Sequence, residues 1–256
     1  MQRIGLILSA IIIIQGNLYS EITGDYILKK IDEIRKVGDS FAFEMEISSF
    51  SDESTLVDKY TIQGYVKIDK DQNVKTLVYF TDPKIIRGRK MLMEGNNVWI
   101  LFPRTRNIIR LSPLQVLLGE VSNCDIAKIS FSVDYNAEII GEEVIDGKEL
   151  YKLLLKVKEG REGCTYSEII LMVEKKTFIP VAAEFYTGAG KLIKKVWYDK
   201  VKEIYGKLRP MRITLYDGIN PEKFTIMEYK KIKKLSIPDF YFNKEYLPRF
   251  TPPSLD

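Results

Sequence analysis

The stretch Phe41-Ala42-Phe43-Glu44-Met45-Glu46-Ile47-Ser48 decides the fold class. Large apolar residues stand at every second position, with small or charged residues between them. That is the period of a strand with one buried and one wet face. The pattern recurs at Tyr60, Ile62, Val66 and Ile68, set against Thr61, Gln63 and Lys67. Similar runs follow at 74–80, 89–94, 98–102 and 105–111, then at 134–141, 150–158, 166–174, 181–186, 191–199, 208–216 and 223–230. Between them lie Gly95-Asn96-Asn97, Asp146-Gly147, Gly188-Ala189-Gly190 and Asp217-Gly218, residue types that tolerate the positive φ of tight hairpins. Short strands joined by tight turns make an antiparallel meander. No βαβ alternation is present, which excludes a parallel nucleotide-binding sheet.

Little helix is available to cover so much strand. Thr23 can cap one helix in which Ile27, Leu28, Ile31 and Ile34 recur at helical spacing, with Gly38 to close it. The interruption at 112–131 offers a capping box of Ser112 and Gln115, Pro113 at the first helical position and Gly119 as a stop. It predicts a short apolar helical turn. A second short apolar segment spans 237–243, ahead of Tyr246-Leu247. The proline-rich residues 248–256 are expected to be loose. Eleven or twelve strands with an apolar side cannot be covered by one helix of about 15 residues. Such a sheet must fold into a sandwich, keep a cavity for an apolar ligand, or face lipid.

Composition narrows the chemistry. The 256 residues include 39 Lys plus Arg, 35 Asp plus Glu, two Cys and no His. Without His there is no Ser-His-Asp or Cys-His machinery, no His-ligated zinc and no imidazole base. Two Cys are too few for a structural zinc or an iron–sulfur cluster. No catalytic residue, metal or cofactor is expected, and the chain is not expected to be an enzyme.

Residues 1–20 read as a signal peptide, with Arg3 ahead of an apolar run of about 11 residues, too short to span a bilayer as a helix. Cleavage near Glu21 would export residues 21–256, read as one domain, without a lipidated Cys. In an oxidising compartment Cys124 and Cys164 either remain thiols or close a loop of about 40 residues, worth roughly 4 kcal/mol.

The remaining motifs are weak. Asp69-Lys70-Asp71-Gln72-Asn73 begins like a calcium loop but has Val74 and Phe80 where Gly and Glu belong, so it reads as a hairpin tip. Arg87-Gly88-Arg89-Lys90, Arg104-Thr105-Arg106 with Arg110, and Lys230-Lys231 with Lys233-Lys234 are basic clusters. They suit solvated faces or anionic head groups, and a net charge of only +4 argues against nucleic acid. Glu142-Glu143 and Glu159 with Glu162 sit beside Gly in apparent turns, with no aromatic platform for glycoside chemistry.

The middle of the chain resembles a known family. Gly88-Arg89-Lys90-Met91-Leu92, then Val98-Trp99-Ile100-Leu101-Phe102-Pro103 with Arg106, Ile109, Arg110 and Leu111, is similar to the LolA-like outer-membrane lipoprotein-sorting proteins. Glu138 to Gly147 with Tyr151-Lys152-Leu153, Phe178-Ile179-Pro180-Val181 ahead of Gly190-Lys191-Leu192, and Ile237-Pro238-Asp239-Phe240-Tyr241-Phe242 extend the resemblance over most of 40–247. The insertion departs from it, with Ser122-Asn123-Cys124-Asp125-Ile126 and Phe131-Ser132 where relatives often carry a Gly/Ser-Asp-Phe-Ser run.

The resemblance implies an unclosed antiparallel β-barrel of about 11 strands, with an N-terminal helix and short helices plugging its concave face. It also implies a monomeric periplasmic carrier of lipoprotein or lipid acyl chains, with an inner-membrane transporter as donor and an outer-membrane acceptor. Phe43, Met45, Ile62, Val66, Met91, Met93, Trp99, Leu101, Met172 and Trp197 are the expected cavity lining, although the sequence leaves open which face of the Trp99 strand turns inward. A small outer-membrane β-barrel and a ligand-free β-sandwich are the alternatives.

Overall fold

The computed structural model describes residues 22–70, 72–127, 130–160 and 166–255. The expected export segment, Asp71, Glu162 and Cys164 lie outside these residues, and so does any bridge to Cys124. The opening helix, α1 (Gly24–Arg35), forms where its spacing places it. The Thr23 hydroxyl accepts from the Tyr26 amide at 3.2 Å, and Ile27, Leu28 and Ile31 are fully buried.

Six strands follow: β1 (Ser40–Phe50), β2 (Leu56–Ile68), β3 (Val74–Asp82), β4 (Lys90–Glu94), β5 (Asn97–Leu101) and β6 (Ile108–Leu111). The interruption holds a small hairpin, β7 (Val116–Leu118) and β8 (Val121–Ser122), and a short helix, α2 (Asn123–Ala127). Seven strands come next: β9 (Tyr135–Ile145), β10 (Lys148–Val157), β11 (Glu168–Glu174), β12 (Pro180–Tyr186), β13 (Leu192–Ile204), β14 (Lys207–Asp217) and β15 (Phe224–Lys234). Two 3-10 turns, Asp239–Phe242 and Lys244–Arg249, complete the elements.

Thirteen strands form one antiparallel sheet in the order β6-β5-β4-β3-β2-β1-β15-β14-β13-β12-β11-β10-β9, against the eleven or twelve expected. Each half is a meander, and the halves meet where β1 pairs with β15. The free edges are therefore β6 and β9, the two strands that flank the interruption. The sheet curls without closing: α1 touches β9 at one edge and β14 near the middle. A single apolar cluster unites inward residues of both halves with α1 and the insertion. Gly64 serves this curvature, because a Cβ there would lie 2.1 Å from the Phe43 ring, which rests on the bare backbone.

The outer face carries a second, smaller cluster. Ala42, Tyr65, Leu77, Leu92 and Trp99 form one row across β1 to β5. Ile237, Phe242, Leu247, Phe250 and Leu255 cover the cluster. Two expectations fail here. The C-terminal segment does not plug the concave face but packs on the opposite one. Residues 248–255 are also not loose, since Phe250 and Leu255 are buried and the Lys90 ammonium, itself buried, donates to the Leu247 carbonyl at 2.8 Å.

Elsewhere the outer face is charged. Lys59 pairs with Glu46 at 2.7 Å, Lys230 bridges Glu46 and Glu228, and Lys200 pairs with Glu228 at 2.6 Å. Lys200 and Lys230 together hold the Glu228 carboxyl down at about 2. An outer-membrane barrel needs an outward apolar band, and a sandwich needs a second sheet packed on the first. Neither alternative fits.

The helical turn expected at 112–119 is also corrected. Ser112 and Gln115 make a single turn, the Gln115 amide donating to the Ser112 carbonyl at 3.1 Å. The chain then extends into β7, because Gly119 at φ +51° reverses it into β8. Gly119 is pressed against the wall as well: a Cβ would lie 2.2 Å from Thr225 Oγ1 and 2.4 Å from Ser49 Oγ. We therefore expect Gly119→Ala to cost about 1–3 kcal/mol in urea unfolding, more than Gly147→Ala, where φ is positive but the space is open. Equal costs would contradict the close seating of this turn.

Candidate functional site

The concave face is the site, and its walls follow from strand parity. Phe43, Met45, Ile62, Val66, Met91 and Met93 all lie in the inner cluster, brought together across β1, β2 and β4. Trp99, Leu101, Met172 and Trp197 do not. Trp99 and Leu101 belong to the outer cluster under the C-terminal segment. Met172 and Trp197 flank Ala182 in one row on the outer face, where Trp197 is 43% exposed. In β5 the inward positions are Val98 and Ile100, and in β13 they are Lys194, Val196 and Tyr198. Glu142 and Glu143 stand at successive positions of β9 and so point to opposite faces, each paired with a lysine. The Asp69 tip is a plain turn, with the Asn73 amide donating to Asp69 Oδ1 at 2.8 Å.

Two bodies fill the hollow. The first is α1, fastened at both ends. Asp25 accepts from the Ala137 amide of edge strand β9 at 2.7 Å. The buried Asp32 accepts from Ser130 Oγ at 2.6 Å and from the Phe131 and Ser132 amides at 2.7 and 2.8 Å. At the other end the Lys207 ammonium and the Arg209 guanidinium donate to the Glu33 and Lys36 carbonyls, as cations do at helix C-termini.

The second body is the insertion, which delivers Leu118, Val121, Cys124 and Ile126 to the inner cluster. Much of its bonding is internal. The Asn123 amide donates to Gln115, the Cys124 amide to Pro113, and Asn123 Nδ2 to Ser112. Its polar ties to the sheet include the Glu120 amide on Thr225 Oγ1 at 2.9 Å and an ion pair between Asp125 and Lys194 at 2.5 Å.

That pair is the most polar feature of the interior. Lys194 is 3% exposed. Its ammonium also reaches the Glu120 carbonyl and lies 4.9 Å from the Tyr166 ring centre. Asp125 in turn accepts from the Ser122 amide and hydroxyl, both at 2.8 Å, and from the Tyr166 hydroxyl at 3.2 Å. Burial, together with the Asp125 charge, pushes the Tyr166 hydroxyl far above the usual phenol range. The sequence reading missed Lys194, Asp32, Tyr166 and Arg209 as interior groups. The available signal was parity: in Lys194-Lys195 one of two adjacent lysines must face inward.

Little space is left between these bodies and the sheet. Two adjoining voids, each about 60 Å³, share Arg35, Tyr198 and Ile213 in their walls. A void of that size holds a few waters, whereas ligand pockets run to about 300–1,000 Å³.

The two partners of the ion pair differ in what they leave behind. Asp125→Leu strands a buried ammonium and is expected to cost roughly 3–5 kcal/mol. Lys194→Met leaves a carboxylate still held by Ser122 and Tyr166 and is expected to cost less. Urea unfolding of the two variants checks the order, and a greater loss for Lys194→Met would contradict it.

The comparisons agree with this geometry. A family model described as an uncharacterized protein matches residues 72–249. Among solved structures, a LolA superfamily protein from Nitrosomonas europaea is 33% identical with a TM-score of 0.78, covering 88% of this chain and 99% of its own. A DUF1329 family protein from Desulfovibrio piger is 22% identical at TM-score 0.78, covering 88% and 97%. A putative outer membrane lipoprotein-sorting protein domain from Vibrio parahaemolyticus is 18% identical at TM-score 0.76, covering 88% and 98%. The last two speak to the fold alone. No curated protein matches the chain.

Proposed function

The chain belongs to the LolA superfamily, and from that membership we propose that it is an exported, periplasmic carrier of acyl chains, lipid or lipoprotein, that performs no catalysis. One observation carries the reading: the apolar concave face of a thirteen-strand sheet is filled by a fastened helix and a separable insertion instead of a second sheet. The insertion keeps much of its hydrogen bonding internal, so it can lift as a unit without breaking the sheet ladder. Acyl chains then take the place of Leu118, Val121 and Ile126 against the wall. Each CH₂ transferred from water contributes about 0.8 kcal/mol, so a few methylenes offset each displaced side chain. Release reverses the exchange when the insertion returns. Sorting toward an outer membrane, with a donor transporter and an acceptor, is the family's pattern, and the chain acts in it as a shuttle.

Lipid extraction from protein purified from its source, with mass identification of the extract, tests this. We expect co-purifying acyl species, or uptake of a fluorescent fatty acid by the emptied protein. A bare protein that also takes up no fluorescent fatty acid would contradict the proposal.

A further inference from the structure

The inner wall carries a charge that no described residue neutralises. Arg209 lies on β14 at the same parity as Ile213 and Leu215, facing inward, and is 5% exposed. Its Nη2 donates to the Lys36 carbonyl at 2.8 Å and its Nε to the Ile204 carbonyl at 3.4 Å. Its Nη1 is buried with no hydrogen-bond partner. Both partners are neutral, and among the described residues no carboxylate lies within ion-pairing distance of this guanidinium. A buried charge is costly unless paired, and a buried donor left unmade adds to the cost.

Capping the end of α1 explains Nη2 but not the orphaned Nη1 or its setting. Arg209 lines the void of about 60 Å³, together with Arg35, Tyr198 and Tyr229. Tyr229 feels both arginines, and Tyr198 feels Arg35. Two cations and two phenols thus meet in the wall of a chamber otherwise lined by apolar residues such as Phe41, Phe43 and Ile232. Arginine presents a fork of donors matched to carboxylate and phosphate oxygens. The void is large enough for such a headgroup as it stands, while the tail needs the insertion to move.

We propose that Arg209, assisted by Arg35, Tyr198 and Tyr229, is the headgroup site of the cavity, and that the cargo is an amphiphile with an oxyanion head, carboxylate or phosphate, rather than a neutral lipid. This rests on the carrier reading above and narrows its ligand.

Three ligands with one tail separate the outcomes: oleate, oleyl phosphate and oleyl alcohol, each competing with a bound fluorescent fatty acid. In the unaltered protein we expect at least one anionic head to bind about tenfold or more tightly than the alcohol, the ratio one charge-assisted hydrogen bond supplies. The preferred head tells carboxylate from phosphate. Arg209→Gln should remove the preference while keeping affinity for the alcohol, and Arg209→Lys should restore part of it. A residue that only caps α1 would change thermal stability and leave the head preference alone. Equal binding of all three ligands to the unaltered protein, or an unchanged preference in a folded Arg209→Gln variant, overturns the headgroup site. Failure of the probe and all three ligands to bind overturns the carrier reading together with it.

Discussion

Everything in this structure follows from a sheet that curls but cannot close. Its free edges, β6 and β9, are the two ends of the same connection, and the chain between them packs into the hollow instead of pairing edge to edge. A sheet of this width would otherwise expose a concave apolar surface far larger than a soluble protein tolerates. It would also leave two rows of unpaired backbone groups. α1 meets part of the second need through Asp25, which takes an amide of β9, and through Asp32, which gathers the residues leading into that strand. The insertion meets the first by filling the hollow from the mouth.

The two fillings differ in kind. α1 is locked by close backbone approach, since a Cβ at Gly24 would lie 2.3 Å from the Ala137 carbonyl oxygen. The insertion is held by a few apolar side chains, by hydroxyl contacts to Thr225 and Tyr166, and by the buried Lys194, which meets both Asp125 and the Glu120 carbonyl. A buried ion pair adds little net stability against an apolar pair of equal volume, yet breaking it from one side is costly. Such a tie holds a single closed position. Because the insertion satisfies much of its own backbone, the difference between closed and open forms reduces largely to which apolar groups cover the wall. On the proposed carrier reading, a lipid tail takes over from Leu118 and Ile126 in supplying those groups.

Much of the fold was legible because one-sided burial imprints a period of two. The runs from Phe41 and from Tyr60, the Thr23 cap and the Asp146-Gly147 turn, with both residues at positive φ, all appear where the residues place them. The Tyr205-Gly206 turn was missed because Tyr seldom accepts φ +51°, so β13 and β14 run longer than expected. Parity was lost where both faces are covered. Asn97-Val98-Trp99-Ile100-Leu101 is apolar on both sides because the inner cluster lies on one face and the C-terminal segment on the other, and a doubly buried strand does not alternate. In β13 the large Trp197 drew attention that parity would have given to Lys194, Val196 and Tyr198. The interior polar groups were illegible for a simpler reason. Lys194, Arg209 and Asp32 look like solvated surface residues until their partners, distant in sequence, are placed beside them.

The central claim is that the insertion, and not α1, yields to the acyl chain. Amide hydrogen exchange on the protein with and without bound oleate tests it most directly. Opening of the insertion as a unit predicts that the Glu120 amide, bonded to Thr225 Oγ1 in the closed form, loses protection when oleate binds, while the Asn123 and Cys124 amides, bonded inside the insertion, and the amides of α1 keep theirs. Bound oleate with unchanged protection at Glu120, or with protection lost along α1 instead, would contradict it.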